Sequence, residues 1–439
     1  MAAVGALACL LLVVFAVRGV AGCVSRVFLH HGAPTKQEQR ASEETATLSE
    51  PVQIDLVMIG DILQHSGVYQ SGFYDNGSRN YDHIFAHIGS ELTGADIKVL
   101  NQETVLGGTA FEFSGYPTFN GPQEMGDAEV KAGFNVVLRA TNHALDMGYA
   151  GLSSELSYWK SQHPEVAVIG AVDPDDPTAS VDDVYVFEKN GFKVALLNYT
   201  YDLNGFEDPK GAISVLEEAR VKSTVEKAET MADMTVVFPH WGEEYNLEPV
   251  QAQYDMAKVF MDAGADVIIG GHPHVIEPVE ILTASDGRKV PCFWSVGNFV
   301  STQIDNENLV GGVAKVTMRK DSDGACSVTA CSFVPTITHK GLGESMTTYL
   351  LSEWNDGLAS TNYLESNGTD NTTLTVDWAN SFCTQVLGPR FDTVAEQIVF
   401  DADELKPETT SKKTTSSSGS TTDDEVGDDA EEEELDAAA

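Results

Sequence analysis

Val236-Val237-Phe238-Pro239-His240-Trp241-Gly242-Glu243-Glu244 and, further along, Val267-Ile268-Ile269-Gly270-Gly271-His272-Pro273-His274 share one design, a short apolar run that breaks into polar residues. Each run suits a buried strand. Between them Val250, Tyr254, Ala257 and Phe260 recur at helical spacing, with Pro249 in the first turn and Gly264 after the last periodic residue, which predicts a helix. Strand, helix, strand over 236–280 is the parallel crossover unit. Such units gather ligands at the carboxyl ends of their strands, so His240 and the pair His272 and His274 are expected to meet at one rim of a sheet. Neutral imidazole is the commonest protein ligand for divalent metals, and the Gly-Gly turn lets both rings of His-Pro-His converge.

The same design recurs towards the amino terminus. Ile54 to Ile59, apolar but for Asp55, ends in Gly60-Asp61; Ile97 to Leu100, apolar but for Lys98, ends in Asn101-Gln102-Glu103; Val136 to Leu138 leads into Arg139-Ala140-Thr141-Asn142-His143. Helices are expected around 81–92, from Asp127 to Gly133, and from Asp146 through Trp159. Val184 to Phe187 and Lys193 to Leu197, joined at Asn190-Gly191, read as a hairpin. Strands are expected over 275–282 and 290–295, with a last antiparallel pair over 313–318 and 326–334. The alternation of strands and helices predicts an α/β fold. Five runs thus end in Asp61, Glu103, Asn142 with His143, His240, and His272 with His274. Mixed carboxylate, amide and imidazole donors suit Zn, Mn or Fe better than Ca or Mg, which prefer oxygen shells. Two such ions close together clamp the oxygens of a phosphoryl group, the constellation of phosphoester hydrolysis.

Composition narrows the partners. The chain has 439 residues, 42% of them hydrophobic, and a formal net charge of −41. Length allows two or three domains, and one large α/β domain with appendages fits equally well. With no basic patch to offset phosphate repulsion, the charge argues against a nucleic-acid partner. Ala2 to Val17 is an apolar run, broken by Arg18 and resumed to Val24. It reads as a membrane anchor or, since Val20-Ala21-Gly22-Cys23 resembles a lipobox, as a lipoprotein signal with Cys23 as acceptor, or as the leader of a released protein. All three place the bulk of the chain outside the cytoplasm, on the cell membrane in the first two. The expected organisation is an anchor or signal over 1–24, a linker over 25–50, the main domain over 51–337, a C-terminal extension over 338–403 and a disordered acidic tail over 404–439. Cys292, Cys326, Cys331 and Cys383 match no zinc or redox spacing, and one or two disulfides are compatible with an oxidising compartment.

Gly60-Asp61, Asn101-Gln102-Glu103-Thr104, the run from Ala140 to Gly148, His240-Trp241-Gly242-Glu243-Glu244-Tyr245, Gly264-Ala265-Asp266 leading to Gly271-His272-Pro273-His274-Val275, and Ser295-Val296-Gly297-Asn298-Phe299 together resemble the bacterial capsule-synthesis CapA family. That family includes poly-gamma-glutamate synthesis proteins of PgsA type and falls within the calcineurin-like metallophosphoesterase superfamily. The resemblance implies a four-layer metallophosphoesterase-like sandwich, with two mixed β-sheets flanked by helices. It implies that Asp61, His240 and His274 bind one divalent metal, Asn142 and His272 a second, with Glu103 between them and His143 as proton donor. Leu63 stands where the superfamily has a histidine, and Glu103 where it has aspartate, so one or two ions are expected. The functional expectation is a membrane-tethered, extracytoplasmic protein for biosynthesis, export or anchoring of an anionic capsule polymer such as poly-gamma-glutamate, working with capsule polymer synthase or export components. The alternative is a metal-dependent phosphoesterase acting on a cell-surface or lipid-linked phosphorylated substrate.

Overall fold

The computed structural model describes residues 50–341, 346–363 and 373–407. The expected anchor, most of the linker and nearly all of the acidic tail lie outside the described residues. Among the described residues no helix is long and apolar enough to cross a membrane.

The chain lays down one sheet, leaves it for a second, and returns. β1 (Val52–Ile62), β2 (Ile97–Gln102), β3 (Val136–Leu138) and β4 (Ala167–Ile169) run parallel in that spatial order. The helices α1 (Glu124–Ala132) and α2 (Gly148–Gln162) belong to the same stretch of chain. The second sheet contains β5 (Tyr185–Lys189), β6 (Phe192–Thr200), β7 (Met234–His240), β8 (Val267–Ile269), β9 (Val279–Thr283) and β10 (Lys289–Phe293), in the order β5-β6-β7-β8-β10-β9. The helix α3 (Glu218–Glu229) precedes β7, and α4 (Gln251–Ala263) connects β7 to β8. Then β11 (Asn298–Val300) pairs parallel with the end of β1, on the edge away from β2, and β12 (Val310–Lys320) pairs antiparallel with the rest of that edge. β13 (Cys326–Lys340) follows β12, and β14 (Met346–Leu350) and β15 (Ile398–Phe400) both pair with β13. Both sheets are therefore mixed.

Side-chain alternation builds the layers. Ile54, Leu56 and Met58 of β1 pack inward against Val194, Leu196, Val236, Phe238 and Ile269 of the other sheet. Val57 and Ile59 point the other way, into a cluster with Met125, Ala128, Tyr158 and Trp159 of α1 and α2. The outer face of the second sheet, through Leu197, Val237 and Ile268, meets Val221 and Val225 of α3 and Ala257 and Phe260 of α4. Helix, sheet, sheet, helix is the four-layer α/β sandwich expected from the sequence.

Several local expectations shift. The single helix expected over 81–92 is a 3₁₀ turn, Asp82–Phe85, followed by one helical turn at Gly89–Leu92. Ile84, Phe85, Ile88 and Leu92 are all buried, but Gly89 weakens a continuous helix by about 1 kcal/mol. Tyr254 of α4 stays 40% exposed and lies against Trp294 at 4.5 Å between ring centroids. The domain boundary expected at 337 falls inside β13, and the stretch placed in an extension contributes β14 and β15 to the first sheet. A further helix there, α5 (Val376–Leu387), buries Phe382, Cys383 and Val386 in the core between the sheets. Cys292, Cys326, Cys331 and Cys383 are all free thiols, so none of the disulfides compatible with the sequence forms among them.

Candidate metal centre

The carboxyl ends of β1, β2 and β3 from one sheet and of β7 and β8 from the other open onto a common space. Register brings Asp61 beside Asn101 and Asn298. Gly60 is required there, because a Cβ on it would lie 2.0 Å from the carbonyl oxygen of Gly297. Glu103 follows β2 directly, and its carbonyl accepts hydrogen bonds from Thr141 Oγ1 (2.9 Å) and Arg139 Nη1 (3.3 Å). Arg139 also donates to the Gln102 carbonyl at 2.6 Å and pairs with Glu155 at 3.0 Å, both side chains fully buried. His240 ends β7 and bridges to Gly271. His272 and His274 both adopt positive φ, 99° and 59°, a conformation costing a non-glycine residue about 1–3 kcal/mol. Surrounding bonds hold them there. Trp241 N donates to the Gly271 carbonyl (3.0 Å), Tyr245 N to the Pro273 carbonyl (2.8 Å) and Asn308 Nδ2 to the His274 carbonyl (3.0 Å).

The structure brings all six expected ligand residues together, each at most 2% exposed. His274 Nδ1 lies 3.3 Å from Asp61 Oδ2, and its Nε2 lies 3.7 Å from Glu103 Oε1. His240 Nε2 is 3.6 Å from the same Glu103 oxygen and 3.0 Å from Asn142 Oδ1. Asn142 thus sits beside His240, whereas the resemblance pairs it with His272. Asn101 Nδ2 donates to Asp61 Oδ1 at 2.7 Å and lies 3.1 Å from His240 Nδ1. Ligand atoms of Glu103, His272 and His274 fall within 4.8 Å of one another.

The electrostatics of the cluster are strained. Burial alone would raise the Glu103 carboxyl, but the charges of His274 and His240 outweigh it and hold the group well below the usual carboxylate range. Burial would lower His274, yet Glu103 and Asp61 push it up to about 9. Burial, with His240 and His274 adding to it, drives His272 well below its ordinary value and keeps it neutral. Both Glu103 carboxylate oxygens and His272 Nδ1 are buried without a hydrogen bond. Buried polar atoms are rarely left so unless an ion or water completes them, and a carboxylate beside a neutral imidazole is a fitting donor set for a divalent cation. Glu103, His272 and His274 would hold such an ion, with Asp61, His240 and Asn142 around it. A bound divalent ion polarises phosphoryl or acyl oxygens.

His143 stands at the edge of this cluster. Its Nδ1 pairs with Asp146 Oδ2 at 2.8 Å, an oxygen that accepts and so places a proton at Nδ1, and its Nε2 lies 3.4 Å from Asn204 Nδ2. The same Asp146 oxygen accepts from Phe119 N at 2.7 Å, and the Phe119 ring meets His143 edge-on. Leu63 is a buried wall of the adjoining cavity. His65, not counted as a ligand from sequence, lies edge-on to Phe119; burial and the His274 charge depress it to about 4. Sequence reasoning assigned no role to Asn298, which lies 3.1 Å from His274 Nδ1, to Tyr201, whose ring is 4.4 Å from that of His272, or to Asn204, which reaches Asn142 and His143. Asn298 was within reach, because it belongs to a quoted motif. Asn204 sits in a loop with no periodic signal.

The profile of the family described as "Bacterial capsule synthesis protein PGA_cap" matches residues 55–303, the stretch that contains every residue of the cluster. The "PGA biosynthesis protein CapA" of Bacillus subtilis (strain 168) is 31% identical over 200 residues, 45% of this chain and 50% of that protein. The "Capsule biosynthesis protein CapA" of Bacillus anthracis is 28% identical over 264 residues, 57% of this chain and 60% of that protein. The matched regions thus span about half to three-fifths of these curated relatives. Among solved structures, a Staphylococcus aureus protein solved as a candidate 5'-nucleotidase overlays with a TM-score of 0.41 at 17% identity, over 65% of this chain and 54% of that one. An overlay at that level says nothing about activity.

Proposed function

The chain belongs to the bacterial capsule synthesis family, and from that membership we propose that it acts at the outer face of the cell membrane in making, exporting or anchoring an anionic capsule polymer such as poly-gamma-glutamate. The observation that carries this reading is the family match over 55–303, within which the buried cluster is complete. The apolar run from Ala2 to Val17 supports tethering to the membrane. The cluster of Glu103, His272 and His274 supports contact with a polyanion in one way: a divalent ion of the Mn, Zn or Fe kind held there would supply local positive charge to a chain whose net charge is −41. The expected partners are the anionic polymer and the synthase or export components that handle it.

The test is genetic and chemical. A strain lacking the chain should lose surface polymer, measured by mass and by uronic-acid-free anionic content of washed cells. The intact chain should restore it, and chains carrying Glu103→Gln or His272→Ala should not. A deletion strain with a normal surface polymer would sink the proposal.

A further inference from the structure

Two carboxylates belong to the cluster, and they are held in opposite ways. Asp61 is tied at both oxygens, Oδ1 accepting from Asn101 Nδ2 at 2.7 Å and Oδ2 from His272 N at 3.2 Å. Neither oxygen of Glu103 accepts a hydrogen bond. The Glu103 carboxylate is therefore aimed by its own main chain, and that main chain is pinned by side chains outside the ligand set.

Arg139 is the chief of these. It follows β3, is fully buried, and donates through Nη1 to the Gln102 carbonyl at 2.6 Å and the Glu103 carbonyl at 3.3 Å. Thr141 Oγ1 donates to the same Glu103 carbonyl at 2.9 Å. At the other side of the guanidinium, Nε stands 3.0 Å from an oxygen of Glu155 in α2, and Trp159 Nε1 donates to that oxygen at 3.4 Å. Contacts thus run from α2 through Glu155 and Arg139 to two successive carbonyls, and end at the carboxylate that has no other hold. A buried ion pair is a poor means to stability, because desolvation of both charges offsets their attraction and well-packed apolar side chains often do as well. What a guanidinium supplies and an apolar side chain lacks is a rigid fork of donors.

We propose that Arg139, helped by Thr141, is a positioning residue of the metal centre: by pinning the Gln102 and Glu103 carbonyls it sets where the Glu103 carboxylate stands, and with it the affinity for a divalent ion. The effect passes through Glu103 and rests on the cluster being a metal centre. Partners one step removed from a metal commonly change its affinity ten- to a hundred-fold when they are lost.

Mn²⁺ binding to the full chain, read as free aqueous Mn²⁺ by electron paramagnetic resonance, tests it, with the urea midpoint in EDTA as the measure of fold. Arg139→Met alone leaves Glu155 buried without its partner, so it is combined with Glu155→Met. Glu129, the acid next to that pair, is pushed well above the usual carboxylate range, by burial above all, and stays neutral. Kd should rise at least about ten-fold in this double variant while the urea midpoint stays near that of the parent. Thr141→Val, which keeps the shape, and Arg139→Lys, which keeps the charge opposite Glu155 but loses the fork, should each raise Kd about three-fold or more. In a Glu103→Gln chain the same changes should add no more than about two-fold, because the group they position is already gone. A parental Kd in Arg139→Lys or in the folded double variant, or a full additive effect on top of Glu103→Gln, would overturn the proposal; if the double variant does not fold, Arg139→Lys and Thr141→Val decide. A parent chain that takes up neither Mn²⁺ nor Zn²⁺ would overturn the metal reading itself, an outcome seen before any variant is made.

Discussion

Glu103 makes the largest unmet demand of any side chain at the site, since both its oxygens are buried without a hydrogen bond and the nearest imidazole nitrogens stand off by 3.6 and 3.7 Å. Replacing it with glutamine removes the charge and keeps the shape. Glu103→Gln is expected to lower Mn or Zn uptake by at least about ten-fold, measured by elemental analysis after dialysis; undiminished uptake would remove Glu103 from the ligand set. Asp146 serves differently, tying His143 Nδ1 and the Phe119 backbone to one oxygen. Asp146→Ala leaves that buried amide without its acceptor, and is expected to cost about 1–3 kcal/mol of stability, read as a lower urea midpoint at unchanged slope. The residues at this scale were legible where each was the first polar side chain after an apolar run, as with Asp61, His240 and His272. Asn204 was not, because a loop path that only the packed chain defines brings it to Asn142 and His143.

At the scale of elements, the start of α4 is fastened to the segment that follows the His-Pro-His turn. Gln253 accepts from Val250 N at 2.8 Å through Oε1 and donates to Glu277 Oε2 at 2.9 Å. Glu277 is fully buried, and burial pushes its carboxyl from 4.5 up to about 8. The folded chain therefore keeps a proton that the unfolded chain releases. Its contribution to stability is complete below about pH 4.5 and is lost as pH rises towards 8, at no more than about 1.4 kcal/mol per pH unit. Glu277→Gln should flatten that decline, so the variant gains on the parent between pH 5 and pH 8 in urea unfolding; parallel curves would show that the group is ionised throughout. The helix, its glycine stop and the flanking strands were readable from spacing alone. β14 and β15 were not, because β15 is only three residues long and both owe their place to pairing with β13, a long-range choice that local pattern does not encode.

Across the whole molecule, the cluster draws Asp61, Glu103 and Asn142 from one sheet and His240, His272 and His274 from the other. An ion held there binds the folded chain and finds no preformed site in the unfolded one. Chelation of a metal-loaded sample is expected to lower the melting temperature, because it removes a stabilisation set by free ion over Kd, about 2.7 kcal/mol when that ratio is 100. Differential scanning calorimetry with and without EDTA decides it, and an unmoved transition would mean that no ion bridges the sheets. The class of fold was legible because the strands alternate with helices and their inward and outward faces are both apolar; the return of the chain to its first sheet was not.

That return has a consequence for the birth of the protein. Asp61 is synthesised early, yet β1 meets β11 and β12 only once residues past 298 and then 310 have been made. A nascent chain therefore carries its donors for much of its synthesis without a pocket to place them in. The pocket is a property of the finished polypeptide, formed in whichever compartment the last strands close.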